Sequence, residues 1–270
     1  MPTARMRPLN QLDASALRGL RGLRGVLTDI DDTLTHQGAI EPAALEALQR
    51  LHRAGLPVIA ITGRPAGWSE AFALAWPVAA IVAENGAVML RRDGATLRRE
   101  FTQDDAKRAA NMQRLQQCAA TVIAEVPGTS LARDSAGRLT DIAIDHSEFA
   151  HLDAGQIESV LGVMRRHGLR ASVSSIHVNG WIGRHDKASG ARWAVEHALG
   201  WPFDPAQWLY VGDSSNDEAM FALLPLSVAV ANIERFVTQM KVLPAYVTPS
   251  PRGRGFAEVA DRVLAAQALA

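Results

Sequence analysis

Asp29 and Asp31 stand one residue apart where an apolar run ends, in Val26-Leu27-Thr28-Asp29-Ile30-Asp31-Asp32-Thr33-Leu34-Thr35. Side chains alternate faces along an extended segment, so the two carboxylates point the same way. Like charges on one face repel. They are tolerated when a divalent cation lies between them or when one of them holds a proton. Two more polar, small-residue turns follow apolar runs, Thr62-Gly63-Arg64 and Gly212-Asp213-Ser214-Ser215-Asn216-Asp217, and Lys187 opens a helical stretch. Each has an ordinary reading by itself: an Asp after a strand is often a helix cap, and a Lys is usually solvated. Together they make a coherent phosphate-and-metal site. Carboxylates are hard oxygen ligands for Mg²⁺. Lys and Thr complement phosphate oxygens, and glycine lets the backbone come close.

The elements around these residues must bring them to one place. Residues 25–28, 56–61, 78–83 and 208–211 are apolar without alternation, which predicts strands buried on both faces. Helices with Leu-rich stripes separate them, the first opened by Pro42 and closed by Gly55. Strand and helix alternating with short links predicts a parallel sheet with helices on both faces. In such sheets, ligands bind beyond the carboxyl ends of the strands, where the polar turns fall. From about residue 88 the texture changes. A hairpin around Arg92-Asp93-Gly94, a long amphipathic helix over 103–125 and short strands near 129–132, 139–145, 169–174 and 176–181 predict an antiparallel α+β unit. The first texture resumes at Asp186-Lys187. The expected organisation is an N-terminal tail over 1–22, a core formed by 23–87 and 185–270, and an inserted domain over 88–184.

In this order, Asp29-x-Asp31-x-Thr33, Thr62, Lys187 and the acidic turn Gly212 to Asp217 resemble the four motifs of the haloacid dehalogenase superfamily of phosphohydrolases. Asp-Asp-Thr-Leu-Thr, Thr-Gly-Arg, Glu-Asn-Gly-Ala and Gly-Asp-x-x-Asn-Asp are similar to its large-capped branch. That branch includes Cof-like sugar phosphatases, sucrose-phosphate phosphatase, mannosyl-3-phosphoglycerate phosphatase and phosphomannomutase. The resemblance implies a Rossmann-like α/β core with an inserted α+β cap and Mg²⁺-dependent hydrolysis of a small phosphorylated metabolite, a sugar phosphate or glycosyl phosphoglycerate. It implies Asp29 as nucleophile, forming an aspartyl-phosphate, and Asp31 as acid and base. Thr62 and Lys187 would bind the phosphoryl oxygens. The metal would be held by Asp29, the backbone carbonyl of Asp31 and Asp213. Asp217 and Asn216 would orient Lys187 and support the site. Arg64, and His177 and Asn179 on one face of a cap strand, are candidates for contact with the substrate. The competing readings are a phosphotransferase or phosphomutase on the same fold, and a catalytically silent phosphate-binding protein. The second predicts loss of Asp29 or Asp31, and both are present.

Composition excludes other classes. Lys plus Arg and Asp plus Glu are each 28 among 270 residues, so there is no basic excess for a nucleic acid. No apolar run approaches a membrane span. The Arg-containing N-terminus (Arg5, Arg7, Arg18, Arg21, Arg24) lacks the apolar core of a secretory signal. Cys118 is the single cysteine, so no internal disulfide forms, which fits a reducing cytoplasm. The expected partner is the metabolite alone, with the chain a monomer or homodimer.

Overall fold

The computed structural model of the chain describes residues 6–269. Strand β1 (Arg7–Pro8) and helix α1 (Ala14–Arg21) precede the nucleophile strand β2 (Gly25–Thr28). A small antiparallel flap, β3 (Thr35–His36) with β4 (Ala39–Ile40), follows, then α2 (Pro42–Arg53), β5 (Val58–Ile61), α3 (Ala66–Ala75) and β6 (Ala80–Ala83). A hairpin of β7 (Val88–Asp93) and β8 (Thr96–Phe101) comes next. The insertion holds α4 (Asp105–Glu125), β9 (Asp141–Asp145), α5 (Ala154–Arg166), β10 (Arg170–Val173) and β11 (His177–Trp181). The chain then returns through α6 (Lys187–Ala198), β12 (Trp208–Gly212), α7 (Glu218–Leu223), β13 (Leu226–Ala229), β14 (Tyr246–Val247) and α8 (Arg252–Gln267).

The main sheet has nine strands in the order β1-β14-β13-β12-β2-β5-β6-β7-β8. Neighbours from β1 through β6 along that order run parallel, and the β7-β8 hairpin adds on antiparallel. The central strands are buried on both faces because successive residues feed different cores. Val26, Val58, Ala60, Leu209 and Val211 pack with α1, α2, α3 and α8, while Leu27, Ile59, Ile61, Trp208 and Tyr210 pack with α6 and α7. Strands β12, β2 and β5 are adjacent, with Val211 and Ala60 flanking Thr28 in register. The residues that follow them therefore emerge side by side at one edge.

Two boundaries differ from expectation. The hairpin 88–101, assigned to the insertion, extends the main sheet instead. Val88, Met89 and Leu90 are fully buried in the two cores of that sheet, and Arg91, Arg92 and Asp93 carry β7 on toward the hairpin tip. An antiparallel edge strand of the core and a cap hairpin share one texture, so sequence pattern alone did not separate them. The independent unit is the three-stranded antiparallel sheet β10-β11-β9 with α4 and α5, built on Leu115, Val122, Ile144, Val160, Met164 and Val178. The tail assigned to 1–22 is also structured over its described part. Strand β1 pairs with β14, Arg7 bonds Asp13 at 2.6 Å, and Ala16 and Leu20 on α1 are buried in the main core. Residues 1–5, Arg5 among them, lie outside the described residues. Among the described residues, no helix is long and apolar enough to cross a membrane. Cys118 is buried in the core of the insertion, and burial pushes its thiol up to about 11.

Candidate active site

Asp29 leaves the end of β2, its N–H donating to Val211 O on β12 at 2.8 Å. The chain then folds back on Ile30, whose carbonyl accepts N–H groups from Thr33, Leu34 and Thr35 and the Thr35 hydroxyl. This tight turn puts Asp32 in the left-handed region, at φ 55°. Thr62 leaves β5 with its N–H donating to Val82 O at 2.8 Å, and its Oγ1 accepts the Arg64 N–H at 3.0 Å. Lys187 is the first residue of α6, behind an Asp186–Ser189 capping box. The turn after β12 is wound around Asp217, whose Oδ2 accepts the N–H groups of Asp213 (2.9 Å) and Ser214 (3.2 Å). Gly212 is required there, because a Cβ would collide with Asp217 Oδ2.

Lys187 joins the pieces. Its Nζ donates to Asp29 Oδ1 at 2.6 Å, Asp217 Oδ1 at 2.7 Å and Asn216 Oδ1 at 3.2 Å. Carboxylate oxygens of Asp29, Asp213 and Asp217 all lie within 4.8 Å of one another, and all three residues are buried. Burial pushes the Asp29 carboxyl up to about 7; Lys187 opposes this, and Asp217 and Asp31 add to it. Burial, then Asp29, Asp217 and Asp32, drive Asp213 well above the usual carboxylate range. Burial alone would lower the Lys187 ammonium, but Asp217 and Asp29 outweigh it and hold it above its ordinary value.

The donor set fits a divalent cation. Asp213 Oδ1 is buried and has no hydrogen-bond partner among the described residues. An uncompensated carboxylate oxygen beside a second carboxylate is costly unless a cation neutralises it. The carbonyl of Asp31 likewise takes no hydrogen bond among the described residues. Asp217 is different. Its two oxygens already accept from Lys187, the Tyr210 hydroxyl (2.5 Å) and two backbone N–H groups. It organises the turn and the lysine, leaving Asp29, Asp213 and the Asp31 carbonyl as the open hard-oxygen donors.

Asp31 faces the other way. Its two oxygens each accept from Arg64 Nε at 3.1 Å. Burial raises its carboxyl above the ordinary value, and Arg64 only partly offsets this. Arg64 also donates from Nη1 to Asp134 at 3.0 Å and from Nη2 to Glu148 at 2.8 Å, both carboxylates of the insertion. The expected substrate-contact arginine is therefore committed, in this form, to a bridge between core and cap. Asp32 turns outward to Arg252 and Arg235; burial would raise its carboxyl, but these two arginines bring it below the usual value.

A cavity between core and cap is lined by Asp29, Asp31, Thr62, Arg64, Asp213 and Asn216 from below, and by Ser174, Ser175, His177 and Asn179 from above. The space left is wide enough for about one water-sized group. The expected residues Asp29, Asp31, Thr62 and Asp213 thus line one cavity with His177 and Asn179, while Lys187 does not line it and reaches it through its bond to Asp29. His177 Nε2 lies 3.0 Å from Glu148 Oε2, and Asn179 Oδ1 is buried without a partner among the described residues. Burial would raise the Glu148 carboxyl, but His177 and Arg64 bring it down to about 2. His146, by contrast, lies against Ser174 O at 3.0 Å, and Arg133 lies over the Phe149 ring; neither lines the cavity.

The residues that sequence reasoning missed are those that seat the cap. Glu84, fully buried at φ 51°, accepts from Ala66 N of the core and from Leu139 N, Thr140 N and Thr140 Oγ1 of the insertion. Arg138 reaches down to Gly63 O at 3.0 Å. Glu84-Asn85-Gly86 was visible as a motif without a role, while Glu148 sits in a loop with no local signal.

A family model described as haloacid dehalogenase-like hydrolase matches residues 26–136. A phosphoglycolate phosphatase of Archaeoglobus fulgidus is 26% identical over 238 residues, covering 87% of this chain and 94% of that protein. Phosphoglycolate phosphatase 2 of Saccharolobus solfataricus is 41% identical over 54 residues, 20% of this chain and 22% of that protein. Among solved structures, a protein of Thermoplasma acidophilum superposes with a TM-score of 0.68 at 18% identity, over 90% of this chain and 98% of that one. The Synechocystis sucrose-phosphatase, solved with sucrose and phosphate, gives 0.65 at 17% identity, over 89% and 98%. The parallel sheet with its inserted α+β unit is the fold shared with these structures. Residues 26–136 thus match the haloacid dehalogenase-like hydrolases, and the chain along most of its length shares the fold of these solved structures.

Proposed function

We propose that the chain is a Mg²⁺-dependent phosphatase that hydrolyses a small phosphorylated metabolite through an aspartyl-phosphate on Asp29. One observation carries this reading: Asp29 and Asp31 open on one cavity but face different partners, Asp29 the Lys187–Asp213 side and Asp31 the Arg64 side. Two carboxylates in different surroundings can do different work. Asp29, kept beside Lys187, attacks the phosphorus as the carboxylate. The bond to the leaving oxygen breaks as Asp31 gives that oxygen its proton. Asp31 then takes a proton from the water that attacks phosphorus, releasing phosphate and restoring Asp29.

Lys187 and the Thr62 hydroxyl, whose oxygen already accepts from Arg64 N–H and whose proton is left to donate, bind the phosphoryl oxygens. Asp217 and Asn216 hold Lys187 in place. Mg²⁺, held by Asp29, Asp213 and the Asp31 carbonyl, neutralises charge on the transferring phosphoryl group when bound. The cap excludes water, and His177 and Asn179 face the leaving group.

For the substrate we favour a sugar phosphate or glycosyl phosphoglycerate, admitted when the cap opens. A second reading is a short phosphorylated acid such as phosphoglycolate. The narrow enclosed cavity favours it, as does the 26% identity to an archaeal phosphoglycolate phosphatase along most of its length. The test is phosphate release from a panel of sugar phosphates, phosphoglycerates, phosphoglycolate and nucleotides, with and without Mg²⁺. Isomerised sugar phosphate without net phosphate release would point to a phosphomutase. No turnover on any substrate or on p-nitrophenyl phosphate would overturn the enzyme reading.

A further inference from the structure

Asp213 is gripped from one side only. Its Oδ2 accepts from Asn232 Nδ2 at 2.9 Å and from Arg235 Nη2 at 3.3 Å, while its Oδ1 is the buried oxygen without a partner among the described residues. Asn232 lies just after β13, at the start of the 3₁₀ segment Ala231–Gln239. It does more than hold Asp213. The same amide nitrogen donates to Asp32 O at 3.1 Å, and the amide oxygen accepts the Arg252 N–H at 3.0 Å. Arg252 closes the circuit by donating from Nε to Asp32 Oδ1 at 2.8 Å. The amide orientation follows from these neighbours, since two acceptors face the nitrogen and a donor faces the oxygen.

The two backbone positions tied to Asn232 are both unusual. Asp32 has φ 55° and Arg252 φ 52°, values that L residues rarely adopt and that their surroundings must enforce. One half-buried side chain therefore spans three segments: the loop after Asp31, the loop carrying Asp213 and the start of α8. The first two supply the Asp31 carbonyl and the Asp213 carboxylate. A brace that served only to anchor α8 would need the Arg252 contact but not the bond to Asp213.

We infer that Asn232 is a positioning residue for the metal site. It holds Asp213 by Oδ2 so that Oδ1 stays free for the cation, and it fixes the spacing between the Asp213 loop and the Asp31–Asp32 turn. This rests on the reading that Asp29, Asp213 and the Asp31 carbonyl hold Mg²⁺. Partners that orient a metal ligand typically contribute roughly 10–100-fold to metal affinity. Arg235, nearly half exposed, shares the grip at a longer distance and contributes less.

The test is calorimetric titration of the metal-free protein with Mg²⁺, alongside the Mg²⁺-induced rise in melting temperature. Asn232→Ala is expected to weaken Mg²⁺ binding roughly 10–100-fold. In kinetics, the Mg²⁺ concentration for half-maximal rate should move further than kcat at saturating Mg²⁺. Arg235→Ala, a change at a more exposed residue, is expected to show a smaller loss in the same direction, and it serves if Asn232→Ala does not fold. A purely structural brace would lower the melting temperature and leave Mg²⁺ affinity alone. Wild-type affinity in both variants overturns the positioning role while leaving the metal site standing. Absence of saturable Mg²⁺ binding in the wild type overturns the metal reading and this inference together.

Discussion

Lys187 is, among the described residues, the single ammonium facing a buried group of carboxylates, so Lys187→Met probes what that charge does. Its side chain is 2% exposed, and those of Asp29 and Asp217 are 5% and 0%. Removing one member of a buried ion pair costs about 3–5 kcal/mol, because the remaining charge is left without compensation. Here one ammonium serves two carboxylates at 2.6 and 2.7 Å, and Asp213 adds a third within 4.8 Å. The expected loss lies at the upper end, about 5 kcal/mol in metal-free protein at pH 8. For a chain of this length that is a fall of roughly 10–15 °C in melting temperature. The loss comes from uncompensated carboxylates, so it should shrink in acid, where they take up protons, and in Mg²⁺, which restores positive charge. It should also be partly recovered by Asp29→Asn in the same chain, with a coupling of about 2–3 kcal/mol. Urea unfolding of wild type, both single variants and the double variant, at pH 5 and pH 8, with and without Mg²⁺, measures all of this. A loss below about 1 kcal/mol, or strictly additive single changes, would refute the reasoning.

Asp29→Asn should abolish turnover with the fold intact, and near-normal phosphate release would remove Asp29 from the chemistry. The same variant tests a pH effect. Asp29 keeps its proton up to about 7 when folded and to about 3.8 when unfolded. The folded state therefore binds more protons over that interval, and stability of the metal-free wild type should fall as pH rises through it. Asp29→Asn should flatten the slope in urea midpoints across this range; an unchanged slope assigns the titration elsewhere. Glu148 has the opposite sign. Its folded value of about 2 lies below the ordinary 4.5, so its hold on Arg64 and His177 is present above about pH 4.5 and lost as pH falls toward 2. Glu148→Gln should loosen the cap at neutral pH, read as a larger radius of gyration in small-angle scattering; a variant as compact as wild type there contradicts the bridge from Glu148 to Arg64 and His177. Gly212→Ala should displace Asp217, with a stability loss of about 1–3 kcal/mol by urea unfolding and loss of activity. A fully active Gly212→Ala would show that the turn can relax.

The strand-end motifs were legible because they are local. Asp29, Thr62 and Asp213 each follow a short apolar run, and parallel-sheet logic places such positions along one edge. The doubly buried strands were legible for a similar reason, since residues like Val26 and Leu27 feed opposite cores and cannot alternate with polar ones. The hairpin 88–101 was misplaced because a hairpin closed by Asp93-Gly94 reads the same in sequence whether it borders the core sheet or stands in a cap. Strand β1 was missed because its two residues, Arg7 and Pro8, are exposed and carry no apolar pattern. Asn232 and Glu148 were invisible for a third reason. Their partners lie 19 to 200 residues away, so only the folded chain brings Asn232 to Asp213 and Asp32, or Glu148 to Arg64 and His177.

The proposed mechanism carries a phosphoryl group transiently on Asp29. It is tested most directly in Asp31→Asn, which removes the proposed base for the second half of the reaction. Mixing that variant with Mg²⁺ and p-nitrophenyl phosphate, whose leaving group departs without a proton from Asp31, then quenching in acid and mapping peptides by mass spectrometry, reports where phosphorus resides. The expected result is one phosphoryl group on the peptide containing Asp29, absent from the double variant with Asp29→Asn. Phosphorylation at another residue, or phosphate release at the wild-type rate with no phosphoprotein, would contradict it.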